Sequence, residues 1–390
     1  MNTNNKRSIA KSFKMSALAA GVALVGGTFA TTASAAFELE SDSGWKVGFN
    51  GHIPVFAVLG DFDTTGPNNT EEDSFRITTG FNPATLQTNV YAPSQYGLDV
   101  SGHFQMNASL ATGDAAGEFR SRVSEIAVAG DFGTVNIGKG FGIFGVPAIG
   151  DNGSGLGVGL IAGGPPQVGA TAGRIGHGYF YADFDTRVMY TSNNLGGLQF
   201  KVGAFTPKKF GSGSETATPR IEANVVYSTD MFSVWTSGFT QDVDSNGGGF
   251  EDFTMSGIDF GGSVSVAGLG VRANYSTTQG TGNGIFGGHG LAGAQEEDAS
   301  QWYVEGTYTF GRTTLGASYG EGEDDLFGDG ADSDLTMIFA RYAATDALTL
   351  MAEIQDHSAE NEVGVAGPPA GAFVVPGDYS AVIAGAQLTF

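Results

Sequence analysis

The side chains that could do chemistry in this 390-residue chain are polar and charged groups whose spacing argues against covalent catalysis. Five histidines, His52, His103, His177, His289 and His357, are scattered along it, and there is no cysteine. With neither a close histidine pair nor a thiolate, no metal centre is expected. Ser101 and His103 lie two apart on one strand face, where paired polarity explains them better than a nucleophilic triad. Asp242-Val243-Asp244-Ser245-Asn246-Gly247 begins like a calcium loop, yet Phe253 stands where the closing glutamate belongs. Gly153-Ser154-Gly155-Leu156-Gly157 lacks both the lysine and the strand-to-helix context of a phosphate loop. What remains is a set of charges on the polar face of alternating segments. Arg76, Arg187, Lys201, Arg220, Arg272, Arg312 and Arg341 share it with Asp99, Asp185, Glu222, Glu305 and Glu353. Charges of both signs across one concave surface set a field, and a field acts on ions and dipolar solutes rather than on bonds.

The elements that must hold these charges are strands. Val47, Phe49, Ile53, Val55, Ala57 and Leu59 fall on one face of the first, opposite Lys46, Gly48, Asn50 and His52. Pro54 cannot donate to a ladder and predicts a local irregularity. Leu98, Val100, Phe104, Met106 and Ala108 alternate with Asp99, Ser101, His103, Gln105 and Asn107. Counting onward gives about 16 strands, joined alternately by seven short turns and eight long loops. Tyr190, Phe200, Tyr227, Phe232, Tyr308, Phe310 and Tyr342 gather beside the short turns, as an interfacial aromatic girdle would. Arg120 and Arg122 share parity with Ile126 and Val128, and Lys139 with Val135 and Ile137, so alternation leaves their direction open.

One stretch breaks the pattern. Of the 38 residues from Phe141 to Gly178, thirteen are glycine, Pro165 and Pro166 are adjacent, and Asp151 and Arg174 are the main charges. A loop this long is improbable in a compact domain without a role of its own. It is expected to fold inward and narrow a pore.

The chain opens with a basic region at Lys6, Arg7, Lys11 and Lys14, a small-residue apolar run, and Ala33-Ser34-Ala35, which reads as a signal peptide over residues 1–35. Residues 36–390 are then the mature domain. They keep fourteen basic residues against forty-one acidic, a net charge of −27 that disfavours nucleic acid as a partner. No later segment is apolar for 18 residues, so any membrane crossing must use strands.

The segment Gly130 to Gly140 resembles the strand-turn-strand that precedes the inward third loop of Gram-negative trimeric porins. The last strand is similar to their outer-membrane assembly signal, with Tyr379 near its start, Leu388 and a terminal Phe390. The resemblance covers essentially the whole mature chain. It implies an all-β, transmembrane antiparallel barrel of about 16 strands with a long inward-folded third loop. It also implies a homotrimer in the bacterial outer membrane, inserted by the barrel-assembly machinery and surrounded by lipid and lipopolysaccharide. The function implied is passive diffusion of small hydrophilic solutes, without cofactor or catalysis. A substrate-selective channel and a non-conducting structural or adhesive barrel are the alternatives. Pore-constriction candidates are Asp151 and Arg174 with the wall cations Arg76, Arg122, Lys139 and Arg187. The remaining inward charges, with His103, are expected to line the lumen. Many porins carry several acidic residues in this loop, and here Asp151 is the single one. Acidic runs such as Glu71-Glu72-Asp73 and Glu296-Glu297-Asp298 are expected to form a solvated outer surface, at most holding loosely bound divalent cations.

Overall fold

A computed structural model describes residues 37–63, 71–79, 83–108, 120–153, 174–209, 214–215, 217–245, 251–282, 296–325, 332–360 and 378–390. At a few of these, Arg76 and Arg120 among them, only the backbone is described. The expected signal segment lies outside the described residues.

Sixteen antiparallel strands close into one barrel. The first half comprises β1 (Lys46–Asp63), β2 (Glu71–Thr78 and Ala84–Tyr91), β3 (Asp99–Ala108), β4 (Arg120–Gly130), β5 (Gly133–Phe141), β6 (Phe184–Thr191), β7 (Leu198–Phe205) and β8 (Arg220–Ser228). The second half comprises β9 (Phe232–Ser245), β10 (Phe253–Val266), β11 (Leu269–Gln279), β12 (Asp298–Phe310), β13 (Thr313–Asp324), β14 (Asp332–Ala343), β15 (Leu348–Glu360) and β16 (Tyr379–Thr389). A short strand, Phe37–Glu40, extends the sheet beside Lys46–Phe49. Each strand pairs with its sequence neighbours, and β16 pairs with β1. The main chain of Phe390 completes the seam by exchanging hydrogen bonds with Gly51 at 2.8 and 3.0 Å. Gly51 has to be glycine there, because a Cβ would overlap the carbonyl oxygen of Thr85 on β2.

The irregularity predicted at Pro54 lies in the neighbouring strand. β1 itself runs unbroken, pairing with the first piece of β2 through Phe56–Asp63 and with the second through Lys46–His52. Pro54 stands opposite the gap, so its missing N–H leaves no rung of that ladder unmade.

Alternation sorts the side chains into two environments. Phe75, Leu59, Val382, Ile354 and Ile338 form a cross-strand row on the outside, each more than half exposed. In water such a continuous apolar belt would be unfavourable, whereas hydrocarbon solvates it. Tyr190 and Phe200, Tyr227 and Phe232, and Tyr308 and Phe310 pack in pairs, ring centroids 5.8 to 6.0 Å apart, beside the short turns. The inside is less uniformly polar than parity suggests. On β14, β15, β16 and β1 the inward residues include a buried apolar cluster of Phe56, Val58, Met337, Met351 and Ile383. Tyr379 belongs to this interior, stacked on His357 at 4.9 Å, while Leu388 faces outward.

Candidate functional site

The third long connection runs from Gly142 to Asp183, and its described parts are 142–153 and 174–183. It leaves β5, turns at Gly145 and makes one 3-10 turn through Val146-Pro147-Ala148. Gly145 has φ 78°, and a Cβ there would overlap the carbonyl oxygen of Phe180, so both conformation and space require glycine. Every described residue from 142 to 148 is buried, which places the loop inside the barrel.

A loop of irregular backbone inside a barrel must find acceptors for its N–H groups. The wall supplies them as carboxylates. Glu222 on β8 accepts from the amides of Ile143 and Phe144, at 2.6 and 3.0 Å. Asp259 on β10 accepts from Gly145 at 3.1 Å and from both the amide and the hydroxyl of Ser237. Glu305 on β12 takes the amides of Asn152 and Gly153 and the side-chain amide of Asn152, all within 2.9 Å. Donors point the other way as well. Arg272 donates to Pro147 O at 2.8 Å, and the Tyr303 hydroxyl to Ala148 O at 2.7 Å.

The returning limb is fixed as firmly. Arg174 is fully buried and donates to Ser318 Oγ at 2.7 Å and to the carbonyls of Leu335 and His177. Its guanidinium lies 5.6 Å from the Tyr303 ring. Asp151, also buried, stands near both Arg174 and Tyr179, and burial holds the Tyr179 hydroxyl well above its usual range. Gly178 donates to Gln301 and accepts from Asn274. His177 on the loop and His357 on β15 meet Nε2 to Nε2 at 2.9 Å, so one ring donates and the other accepts. Burial, reinforced by His357 and Arg174, pushes the His177 imidazole well below its ordinary value.

These positions correct several sequence-based expectations. Asp151 and Arg174 fasten the loop to the wall and to itself, and neither lines open space. Lys139 is exposed on the same face as Ile137, because Gly138 and Gly140 take the inward positions beside Glu125 and Arg187. Arg312 belongs to the β12–β13 turn, exposed, donating to the Tyr342 hydroxyl and Ala344 O. Arg122 falls at a register shift between β3 and β4, and its guanidinium lies over Phe184 at 5.5 Å. Asp99 is exposed at the first position of β3, accepting from the Ser94 hydroxyl. Arg76 pairs with Val58 in the ladder, and its side chain lies outside the described residues.

Other predicted residues do face inward. Arg187 pairs with Glu125 at 2.9 Å. Arg220 bridges Glu222 and Asp185, and Lys208 bridges Asp183 and Asp185. His103 bonds Asn89 at 2.7 Å and Ser101 at 3.0 Å. Glu353 is buried beside Gln355. Lys201, Arg272 and Arg341 are half-buried. Sequence reasoning missed Asp259 and Glu125, although parity within their strands already marked both as inward. The His177–His357 contact, 180 residues apart, had no such signal.

The barrel with its lipid-facing exterior now has independent support. The profile of a family described as Gram-negative porin matches residues 15–362. The chain belongs to the Gram-negative porin family. Solved structures of similar fold include the outer membrane channel DcaP of Acinetobacter baumannii, 15% identical with a TM-score of 0.66 over 90% of this chain and 99% of that one. An anion-selective porin from Comamonas acidovorans is 12% identical with a TM-score of 0.63, over 89% and 100% of the two chains. Salmonella typhi OmpF, in complex with daunomycin, is 14% identical with a TM-score of 0.57, over 91% and 100%. No curated protein sequence matches significantly. This porin is a bacterial outer-membrane channel for passive diffusion.

Proposed function

We propose that this porin works as a homotrimer of diffusion channels for small hydrophilic solutes, each narrowed by the loop between β5 and β6. The observation that carries the reading is the pinning of that loop to Glu222, Asp259 and Glu305, which makes it a fixed part of the wall. Passage then depends on size and charge and requires neither bond chemistry nor energy input. A similar fold crystallised in a trimer form, Vibrio cholerae OmpT, supports the threefold assembly at 14% identity and a TM-score of 0.54. No cofactor enters this reading. Acidic residues such as Glu296 and Glu297 would hold divalent cations loosely, between the protein and lipopolysaccharide phosphates. The C-terminal strand would be the part read by the assembly machinery.

The test is conductance of the refolded mature protein in a planar bilayer. Stable steps that close in threes are expected. A folded, heat-modifiable barrel that never conducts would sink the diffusion reading in favour of a plugged, display-only barrel.

A further inference from the structure

We infer that the wall formed by β1, β2 and β3 binds a neutral polyhydroxylated solute, a sugar or polyol, through Asn50, Gln87, Asn89 and Gln105 beside His103. This deepens the channel reading and rests on it. Five carboxamides, Asn50, Gln87, Asn89, Gln105 and Asn107, fall on the inward face of these three neighbouring strands. The ladder sets them side by side. Asn50 stands opposite Gln87, and Gln87 opposite Gln105, one row across three strands. In the next inward row toward the short turn, Asn89 stands opposite His103. Directly opposed residues have Cβ atoms about 5 Å apart, so the two rows make one continuous patch. The side chains of both rows are half-buried and reach the lumen. Asn107 and Thr85 close the patch on its other side, buried and bonded to each other at 2.8 Å.

Ions find little to pair with here. Across β1 to β4, Glu125 is the one charged residue that either row meets, and Arg187 pairs with it at 2.9 Å. On β1 the second row ends at Gly48, and Glu38 beyond it is paired with Lys46 at 3.1 Å. The carboxamides satisfy one another only in part. Gln87 Nε2 donates to Gln105 Oε1 at 3.5 Å, Gln105 Nε2 donates to Asn107 Oδ1 at 3.1 Å, and Asn89 Oδ1 is bonded to His103 Nδ1 at 2.7 Å. Among the described residues, Gln87 Oε1 and the Nδ2 groups of Asn50 and Asn89 take no partner, while Asn50 Oδ1 is covered and offers nothing. The patch thus presents an acceptor alongside two donors. A hydroxyl both donates and accepts, so a pair of neighbouring hydroxyls matches such a mixed set. An ammonium group only donates and a carboxylate only accepts, and each leaves part of the set unmet. Tyr91, two residues beyond Asn89, adds an apolar ring edge-on to His103, with ring centroids 6.5 Å apart. Donors and acceptors that line a pore decide which solute lingers in it.

The experiment is single-channel conductance of the full mature protein in planar bilayers while sucrose, or a polyethylene glycol of matched radius, is added to the bath. It compares wild type with Gln87→Leu/Gln105→Leu and with Asn50→Leu. Sucrose should block wild type saturably. The glycol, whose ether oxygens only accept, should lower conductance without saturating, because a site built for hydroxyls rejects a solute that lacks them. The double variant should raise the half-blocking sucrose concentration several-fold, and Asn50→Leu should raise it by less. Conducting wild-type channels that sucrose does not block saturably, or that the glycol blocks equally, would overturn the inference while leaving the channel reading intact. So would block unchanged in every variant that heat-modifiability shows folded, with Asn50→Leu deciding alone should the double variant not fold. A folded wild type that never conducts would overturn the channel reading beneath it.

Discussion

Two stretches of the same inner wall behave as different materials. Between β8 and β15 the wall is spent on the loop, with carboxylates, the Arg272 guanidinium and a tyrosine hydroxyl committed to main-chain atoms of residues 143–153, and the side-chain amides of Gln301 and Asn274 to Gly178. From β2 to β3 the polar side chains bond to one another. His103 meets Asn89, Gln105 donates to Asn107, and Asn107 donates to Thr85 at 2.8 Å. The first wall is structural, and the second, closed over at Thr85 and Asn107 but half-buried at Asn89, His103 and Gln105, is in its open part a wettable surface. The difference follows from what lies opposite each. Buried amides make acceptors costly to lose, whereas side chains that can turn to water are replaceable.

Mutations can break this comparison, and the largest effect should come from Glu305→Ala. It strands three donors, the buried amide of Gly153 and the two half-buried ones of Asn152, at a cost of up to about 1 to 3 kcal/mol each, so the loop should lose its grip and open to protease. Limited proteolysis and thermal unfolding in detergent would show it. Gly145→Ala should follow at about 1 to 3 kcal/mol, because φ 78° and the Phe180 carbonyl both oppose a side chain. A crystal structure or loop-directed crosslinking would reveal the displaced turn.

Acidity sharpens the comparison further. The folded protein holds His177 below its unfolded value, so both states are neutral above about pH 6.5 and the loop keeps full stability there. As pH falls from that value toward the folded one, only the unfolded state binds the proton. Stability is then lost at up to about 1.4 kcal/mol per pH unit. Unfolding titrations from pH 7 to 5 should show that slope, and His177→Asn should flatten it. The smallest effect belongs to the other wall. Gln105→Ala should stay within about 0.5 kcal/mol of wild type and leave the loop protected. A cost matching that of Glu305→Ala would erase the distinction between the walls.

The barrel was legible because a period of two survives every local exception. Strand number, the alternation of short turns with long connections and the aromatic girdle all follow from it. The site was legible only halfway. Parity said that Glu222 and Glu305 point inward but not that main-chain amides would be waiting for them. The two charges of the glycine-rich segment, Asp151 and Arg174, looked like pore lining because polar residues in a loop usually meet water. Here the loop turns its charges into the wall, since a buried guanidinium has to be surrounded by acceptors. Lys139 and Arg312 failed for simpler reasons. One shares its face with Ile137, and the other belongs to a turn, where alternation has stopped.

The seam between β16 and β1 has a consequence for how the molecule comes into being. Leu388 pairs with Ile53, so the contact that finishes the cylinder joins positions from opposite ends of the described chain. Until it forms, the growing sheet carries two raw margins, each a row of unmet hydrogen-bonding groups that invites a wrong partner. Closing so distant a contact is slow. Assembly of this porin is accordingly a race between its own last strand and any stranger's.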